Sequence, residues 1–320
     1  MKLSEIRKMS QNFPASYSQL DQHQVQEYLR SMGIDPGNLY QELEMESPYV
    51  DTHTDISYSN AHFQFHSHTF YEILCCRNSC GAEYLIGTDR YKLQKGDIIF
   101  VPPDVSHRAL LPEHMSEPYK RDVLWITPEF MNAFLTSLPA TDPQFQHKPV
   151  LYRTAGTRWT YICDLFRSGV REAEQQEAGW QSIVLGNTLM LLSHLLRASL
   201  DIHAKPLVAE KPELLDQVLA YVEQHLAEKI SLGDIAHHFF VSESTITQTF
   251  RKKMGVSFYR CVTQRRLIAA KSLIERGISL DSVAEQVGFS DYSAFFRAFK
   301  QEYGISPRQY RKMHNSGETK

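Results

Sequence analysis

Ser231-Leu-Gly-Asp-Ile-Ala236 is answered by Ser279-Leu-Asp-Ser-Val-Ala284, and Val241-Ser242 by Phe289-Ser290, at an offset of 48 residues. Ile246-xxx-Phe250 is then answered by Phe295-xxx-Phe299, and Gly255-Val-Ser by Gly304-Ile-Ser, at an offset of 49, so one residue has entered the second copy near Asp291. Each copy reads as helix, tight turn, helix. Ser231 and Ser279 are N-cap types, and Asp234 and Asp281 place negative charge in the first turn, where the helix dipole favours it. Ala236 and Ala284 let two helices cross closely. Gly288 suits the turn because glycine reaches positive φ without strain; the first copy has Phe240 at that place, so its turn differs or is strained. Ser242 and Ser290 are expected to cap the second helices. Their Ile246/Phe250 and Phe295/Phe299 pairs, four apart, form the buried stripe.

With that stripe inside, the opposite face is left for solvent or a partner. It offers Ser244, Thr247, Gln248 and Arg251 in the first unit, and Ser293, Phe296, Arg297 and Lys300 in the second. Hydroxyl, amide and guanidinium groups are the types that read base edges and phosphates in a major groove, and a helix-turn-helix sets its second helix there. A helical bundle with solvated Arg and Lys is the alternative reading of the same residues.

The segments Ser231 to Phe250, Ser257-Phe-Tyr to Ile274, Val287-Gly-Phe-Ser-Asp-Tyr-Ser-Ala-Phe-Phe-Arg-Ala-Phe-Lys300 and Gly304-Ile-Ser-Pro-Arg-Gln-Tyr310 resemble the AraC/XylS transcription regulators over about residues 212–313. The resemblance implies seven helices, with two helix-turn-helix units (about 231–254 and 279–303) joined by one long helix and entering adjacent major grooves of promoter DNA. Thr247, Gln248 and Arg297 fall on base-contact positions of that family. Phe240 departs from the family's usual glycine.

The remaining chain is of a different kind. The 320 residues suffice for two to three domains, and 42% are apolar, as packed cores require. From Pro212 onward there are 15 Lys and Arg against 12 Asp and Glu, and before it 19 against 25, so a mildly basic module follows a mildly acidic one. Cys75, Cys76, Cys80, Cys163 and Cys261 form no CxxC pair or metal-ligand spacing and read as reduced core thiols. The N-terminus carries no secretion signal, and no run of about 18 apolar residues is present, so a cytoplasmic protein without a membrane segment is expected.

Residues 1–52 read as an N-terminal extension, with Leu20, Val25, Tyr28 and Leu29 on one face of a short helix. Residues 53–155 read as a sensor domain. Short β-rich segments (Tyr71–Cys76, Glu83–Ile86, Tyr91–Leu93, Asp97–Val101, Asp122–Ile126) are punctuated by Gly81, Gly87, Gly96 and Pro102-Pro103, as in an antiparallel sandwich or barrel. Within it, His66-Ser-His68-Thr-Phe-Tyr-Glu72 gives three side chains of one parity, and Gly96-Asp97 to His107 adds a third imidazole. These two stretches resemble the motifs of the cupin barrel, with Asp104 where a glycine is common, and the sensor half of many AraC-type regulators.

His66, His68, Glu72 and His107 therefore carry three readings. They line an effector pocket, they hold a divalent transition metal, or they are hydrogen-bonded structural histidines. Tyr71 and Tyr84 are further effector-binding candidates, and Phe63, Phe65 and Phe100 complete a stacking wall for a small molecule such as a sugar. No other cofactor is expected.

Residues 156–205 return to a helical period. Trp159, Ile162, Cys163, Phe166 and Val170 form one stripe and Ile183, Leu185, Leu189, Leu192, Leu195 and Leu196 another, either covering the barrel's open end or forming a dimer seam, which the resemblance favours. Residues 206–211 read as a linker and 314–320 as a tail. The expected protein is α+β and multidomain: a cupin-like antiparallel β-barrel, a helical dimerisation segment and an all-α domain with two helix-turn-helix units. The expected function is a homodimeric, non-enzymatic transcription regulator, an activator by resemblance, with DNA, a small effector and RNA polymerase as partners. A metal-dependent cupin enzyme with a DNA-binding tail and a ligand-independent adaptor are the alternatives.

Overall fold

A computed structural model describes residues 45, 47–58, 65–112, 114–138, 148–201 and 211–315; the expected N-terminal helix and the 206–210 part of the linker lie outside these residues. The chain order is β1 (Val50–Ser57), β2 (Tyr71–Cys76), β3 (Glu83–Ile86), β4 (Asp89–Lys92), β5 (Asp97–Val101), β6 (His107–Leu110), β7 (Tyr119–Ile126), α1 (Pro128–Thr136), β8 (Val150–Arg153), α2 (Ile162–Gln175) and α3 (Trp180–Leu200). Seven further described helices follow. They are α4 (Leu214–Gln224), α5 (Leu232–His238), α6 (Glu243–Thr249) with a π-helical turn (Phe250–Met254), α7 (Phe258–Glu275), α8 (Leu280–Gln286), α9 (Tyr292–Tyr303) and α10 (Pro307–Asn315).

The strands form two antiparallel sheets, β1-β7-β2-β5-β8 and β4-β3-β6. Alternation along each strand sends one set of side chains into the space between the sheets and the other outward. Leu74, Ile99, Val123 and Trp125 from the larger sheet meet Tyr84, Ile86 and Ala109 from the smaller. The outward set, Tyr71, Ile73, Ile98, Phe100, Leu124 and Ile126, is covered by α2 and α3. The first strand begins at Val50, three residues before the expected start of the domain, and pairs along its length with β7.

Trp159, in the turn before α2, and Ile162, Cys163, Phe166 and Val170 on it are buried as their spacing requires. On α3 the buried positions are Val184, Asn187, Thr188, Leu191, Leu192, Leu195 and Ala198, whereas Ile183 and Leu189 of the expected stripe are exposed beside Met190. This corrects two positions of the stripe, whose Leu192 and Leu195 are buried and whose Leu185 and Leu196 pack against the same core; apolar residues lie on more than one face of α3, so its period alone does not mark where the buried face ends. It is also long and apolar enough to cross a membrane by length and composition, although its inner face is packed on the sheet.

Two cores divide the helical part. Leu267, Ala270, Ile274, Val283, Ala284, Phe295, Phe299, Tyr303 and Tyr310 enclose the second unit. The core of the first unit contains Val218, Ile235, Ala236, Ile246, Phe250 and Phe258, and is continuous with Phe65, Leu85 and Leu110 of the sensor. The two parts are therefore joined through an apolar contact at the outer face of the smaller sheet.

Polar groups complete that contact. Arg90 of β4, almost wholly buried, donates from Nε to Asp216 (3.0 Å) and pairs through Nη2 with Glu213 (2.9 Å) and through Nη1 with Glu83 (2.8 Å). Asp216 and Glu213 form the capping box of α4, so one guanidinium ties a strand of the sensor to the first turn of the first helix of the other domain. Arg265 of α7 donates to the Gly87 carbonyl (2.9 Å) with its guanidinium carbon 3.6 Å from the Phe65 ring centroid, and Arg108 of β6 donates to the Met254 carbonyl (3.2 Å). Burial lowers both arginines' pKa values, that of Arg108 to about 10.

Candidate functional site

The two second helices, α6 and α9, carry the first array of interest. Ser242 caps α6 by accepting from the Thr245 amide (3.1 Å), while Ile246 and Phe250 go fully into the core. Ser244, Gln248 and Arg251 are consequently exposed and Thr247 half-buried on the far face. In the second unit the cap is Asp291, which accepts from the Ala294 amide (2.7 Å); Ser290, the expected cap, instead donates to Asp291 (3.1 Å). The inserted residue shifts the helix start by one place. A carboxylate at that N-terminus meets the positive end of the helix, and these hydrogen bonds hold the Asp291 carboxyl below its ordinary pKa. Phe295 and Phe299 are buried, leaving Ser293, Arg297 and Lys300 exposed and Phe296 half-buried near Tyr292.

The two turns differ in a way that follows from one side chain. Gly288 has φ +81°, and a Cβ there would collide with the Leu226 carbonyl oxygen. Phe240 occupies the matching turn at φ +55° with its ring 93% exposed. Its backbone keeps the turn geometry, with the Val241 amide donating to the Ala236 carbonyl (3.0 Å) just as Phe289 donates to Ala284 (3.0 Å). The strained alternative holds: the same turn forms over a bulky residue, at a cost of about 1 kcal/mol. Between the units, the 18 residues of α7 span about 27 Å.

The second array is inside the sensor. The backbone of His66 bridges that of His107, and their rings lie 4.3 Å apart between centroids. Glu72 accepts from the Trp125 indole on Oε1 (2.9 Å) and turns Oε2 to His107 Nε2 (3.0 Å), with His68 Nε2 at 3.7 Å. His107 Nδ1 faces the Val105 carbonyl (2.8 Å) and His68 Nδ1 the Phe70 carbonyl (2.7 Å). A carbonyl only accepts, so both Nδ1 atoms carry hydrogen, and a neutral ring then presents its Nε2 lone pair to the carboxylate. Two lone pairs 3.0 Å apart repel unless a cation lies with them, either a second proton on the ring or a metal ion.

His66, Glu72 and His107 offer donor atoms within 4.8 Å of one another. Ligands held at about 2.0 Å by a tetrahedral ion are separated by about 3.3 Å, so these nitrogen and oxygen donors are of the type a divalent transition metal takes, but a spacing of up to 4.8 Å would have to close around it. Burial lowers the His68 pKa; burial pushes the Glu72 carboxyl up, but the His107 and His68 imidazoles outweigh it and hold that carboxyl well below its ordinary value. Tyr84 lies 6.1 Å from His107 on the same side, whereas Tyr71 is on the other face of β2 against Phe100. Phe63 lies outside the described residues. Asp104, in the turn before His107, has φ +62°, the conformation a glycine would adopt there.

Four residues that bind the sensor to the helices escaped sequence reasoning: Arg90, Arg108, Asp216 and Arg265. A weak signal existed, since Arg108 sits inside a four-residue strand whose other members are buried.

Family models match both halves of the chain. A model described as an AraC-like ligand binding domain matches residues 49–192, and a helix-turn-helix domain model matches residues 235–313. The chain is 28% identical over 257 residues to the HTH-type transcriptional activator RhaS of Enterobacter sp. (strain 638), covering 78% of this chain and 88% of that one. It is 40% identical over 104 residues to the probable transcriptional regulator LumQ of Photobacterium leiognathi, covering 32% and 42%. Among solved structures, ToxT from Vibrio cholerae O395 aligns over 83% of this chain and 98% of its own at 14% identity and a TM-score of 0.34. With an AraC-like ligand binding domain followed by a helix-turn-helix domain, the chain belongs to the AraC family of transcription regulators.

Proposed function

We propose that this activator reads two successive major grooves of a promoter as a cytoplasmic homodimer and answers to a small polyhydroxylated effector, a sugar being the leading class. The observation that carries the DNA reading is the pair of capped helices whose apolar stripes are buried and whose polar faces are exposed. Thr247, Gln248 and Arg297 contact bases; Ser244 and Ser293 sit in the first turns, where bases and phosphates are both in reach, and Phe296 offers apolar contact. Arg251 and Lys300 contact phosphate. Pairing of two chains is supported by the exposed Ile183, Leu189 and Met190 on α3.

The histidine cluster anchors a switch segment. Phe65 precedes His66 and lies against Arg265 of the DNA-binding domain, so any displacement of His66 relative to His107 reaches α7 through one aromatic ring. His66, Glu72 and His107, with His68 beside them, would hold a divalent ion, which when bound supplies a fixed positive charge between β2 and β6. RNA polymerase is the partner through which activation would be expressed. A ligand acts only through different affinity for two arrangements, and docked versus released helices are two such arrangements.

Arg297→Ala tests the reading in the full chain. Footprinting and titration against promoter variants are expected to show loss of preference at one base position and a cost of about 1–3 kcal/mol. An unchanged footprint and affinity would remove Arg297 from the reading face.

A further inference from the structure

The contact between the sensor and the helices holds three buried arginines, and their surroundings are unlike. Arg90 meets three carboxylates, those of Glu83, Glu213 and Asp216. Arg265 pairs with one, that of Glu223 (2.7 Å). Arg108 has none among the described residues. Its Nε donates to the Ala109 carbonyl (3.2 Å) and its Nη1 to the Met254 carbonyl (3.2 Å), while its Nη2 is buried with no hydrogen-bond partner. The side chain is 1% exposed. A guanidinium in that state is kept from water with only neutral acceptors beside it, which is destabilising.

Its neighbourhood adds to the effect. The guanidinium carbons of Arg265 and Arg108 lie 3.6 and 5.7 Å from the centroid of the Phe65 ring, so a second positive charge shares the same dry space. The ring face offsets part of each charge, and more of Arg265's at its shorter distance. Strand alternation explains how Arg108 comes to be there. β6 turns His107 and Ala109 inward, to the histidine cluster and the core between the sheets, and Arg108 and Leu110 outward, under the helices. The penalty for burying Arg108 therefore falls on docking and not on the fold of the sensor. With the helices withdrawn, the outer face of β6 meets water and the guanidinium is solvated. Arg90 acts in the other sense, since docking brings it Glu213 and Asp216.

We infer that Arg108 opposes the docking that Arg90 and the apolar contact maintain, so that the docked arrangement carries a built-in repulsion and opens more readily than its packing alone dictates. The inference rests on docked and released helices being two arrangements of this protein, as proposed above. It bears on how a signal would travel. Arg108 follows His107 in the chain and donates to Met254, the last residue of the π-helical turn that ends the first reading helix. A shift of β6 at the histidine cluster thus reaches that helix through one side chain, and the unpaired charge reduces the push required.

Amide hydrogen exchange of the full chain measures opening of the contact, read at residues 214–224 and on the β3–β4 hairpin, with residues 279–303 of the second unit as internal reference. Arg108→Gln removes the charge but keeps a donor for the Met254 carbonyl, and Arg108→Met removes both at similar length. Both are expected to slow exchange at the contact by about tenfold, and Arg108→Lys, which keeps the charge, to leave it near wild type. Arg90→Ala is expected to speed the same amides, so that two arginines of one contact act with opposite sign. A residue that only holds the fold together would give faster exchange in every Arg108 variant. That result, or loss of cooperative unfolding in both Arg108→Gln and Arg108→Met, would overturn the inference. If Arg90→Ala speeds exchange while the neutral Arg108 variants leave it unchanged, the role of Arg108 falls and the two arrangements stand. If no substitution at either position changes exchange, the two arrangements fall with it.

Discussion

The two helix-turn-helix units share a sequence pattern but differ in what surrounds them. The second unit is closed around its own aromatic core, with a glycine in its turn and an aspartate cap. The first has a strained phenylalanine in its turn, a π-helical end to its reading helix and a core that runs on into the sensor. Duplication supplies two helix-turn-helix units, and among the described residues the first shares its apolar core with the ligand-binding half while the second does not. The reading faces themselves stay exposed in both, so docking positions the first reader without covering it.

The largest effect expected from breaking this asymmetry is at Gly288. In Gly288→Ala the new methyl collides with backbone at Leu226 in a left-handed turn, and a loss of about 3 kcal/mol or more is expected, seen as a lowered thermal midpoint by circular dichroism. A midpoint within a degree of wild type would show that the second turn is less constrained than its packing indicates. Next is Arg90→Ala, which leaves Asp216 buried beside no cation. A cost of about 3 kcal/mol is expected, with faster amide exchange over residues 214–224 and on the β3–β4 hairpin. If exchange rose throughout the second unit equally, the two units would not be separately held.

Phe240→Gly runs in the opposite direction. Removing an exposed side chain from positive φ relieves about 1 kcal/mol of strain, partly offset by the freer unfolded chain, so a small rise in midpoint is expected. A fall would mean the ring makes a stabilising contact. The smallest effects belong to Arg251→Ala and Lys300→Ala. Each should weaken binding to all sequences alike and reduce the salt slope by about one, and a change in sequence preference would reassign that residue to base contact.

What was legible in the sequence was local. Caps at Ser231, Ser242 and Ser279, the buried pairs Ile246/Phe250 and Phe295/Phe299, and the parity that converges His66, His68 and Glu72 all follow from spacing along one element. Ser290 is the expected second cap but Asp291 takes its place, because the insertion lets two adjacent polar residues compete and only the helix axis decides between them. The edge of the buried face of α3 was misplaced at Ile183 and Leu189 because Val184 and Leu191, which are buried instead, are equally apolar. Arg90, Asp216 and Arg265 were invisible for a further reason: their partners lie up to 178 residues away, and no pattern within either domain encodes the meeting of the two.

Hydroxyl-radical footprinting of the full chain on its promoter tests the central claim most directly. Two protected patches per chain are predicted, one helical turn of about 10–10.5 base pairs apart, with Gln248→Ala erasing base preference in one patch and Arg297→Ala in the other. A single patch, or equal protection of every fragment offered, would contradict it.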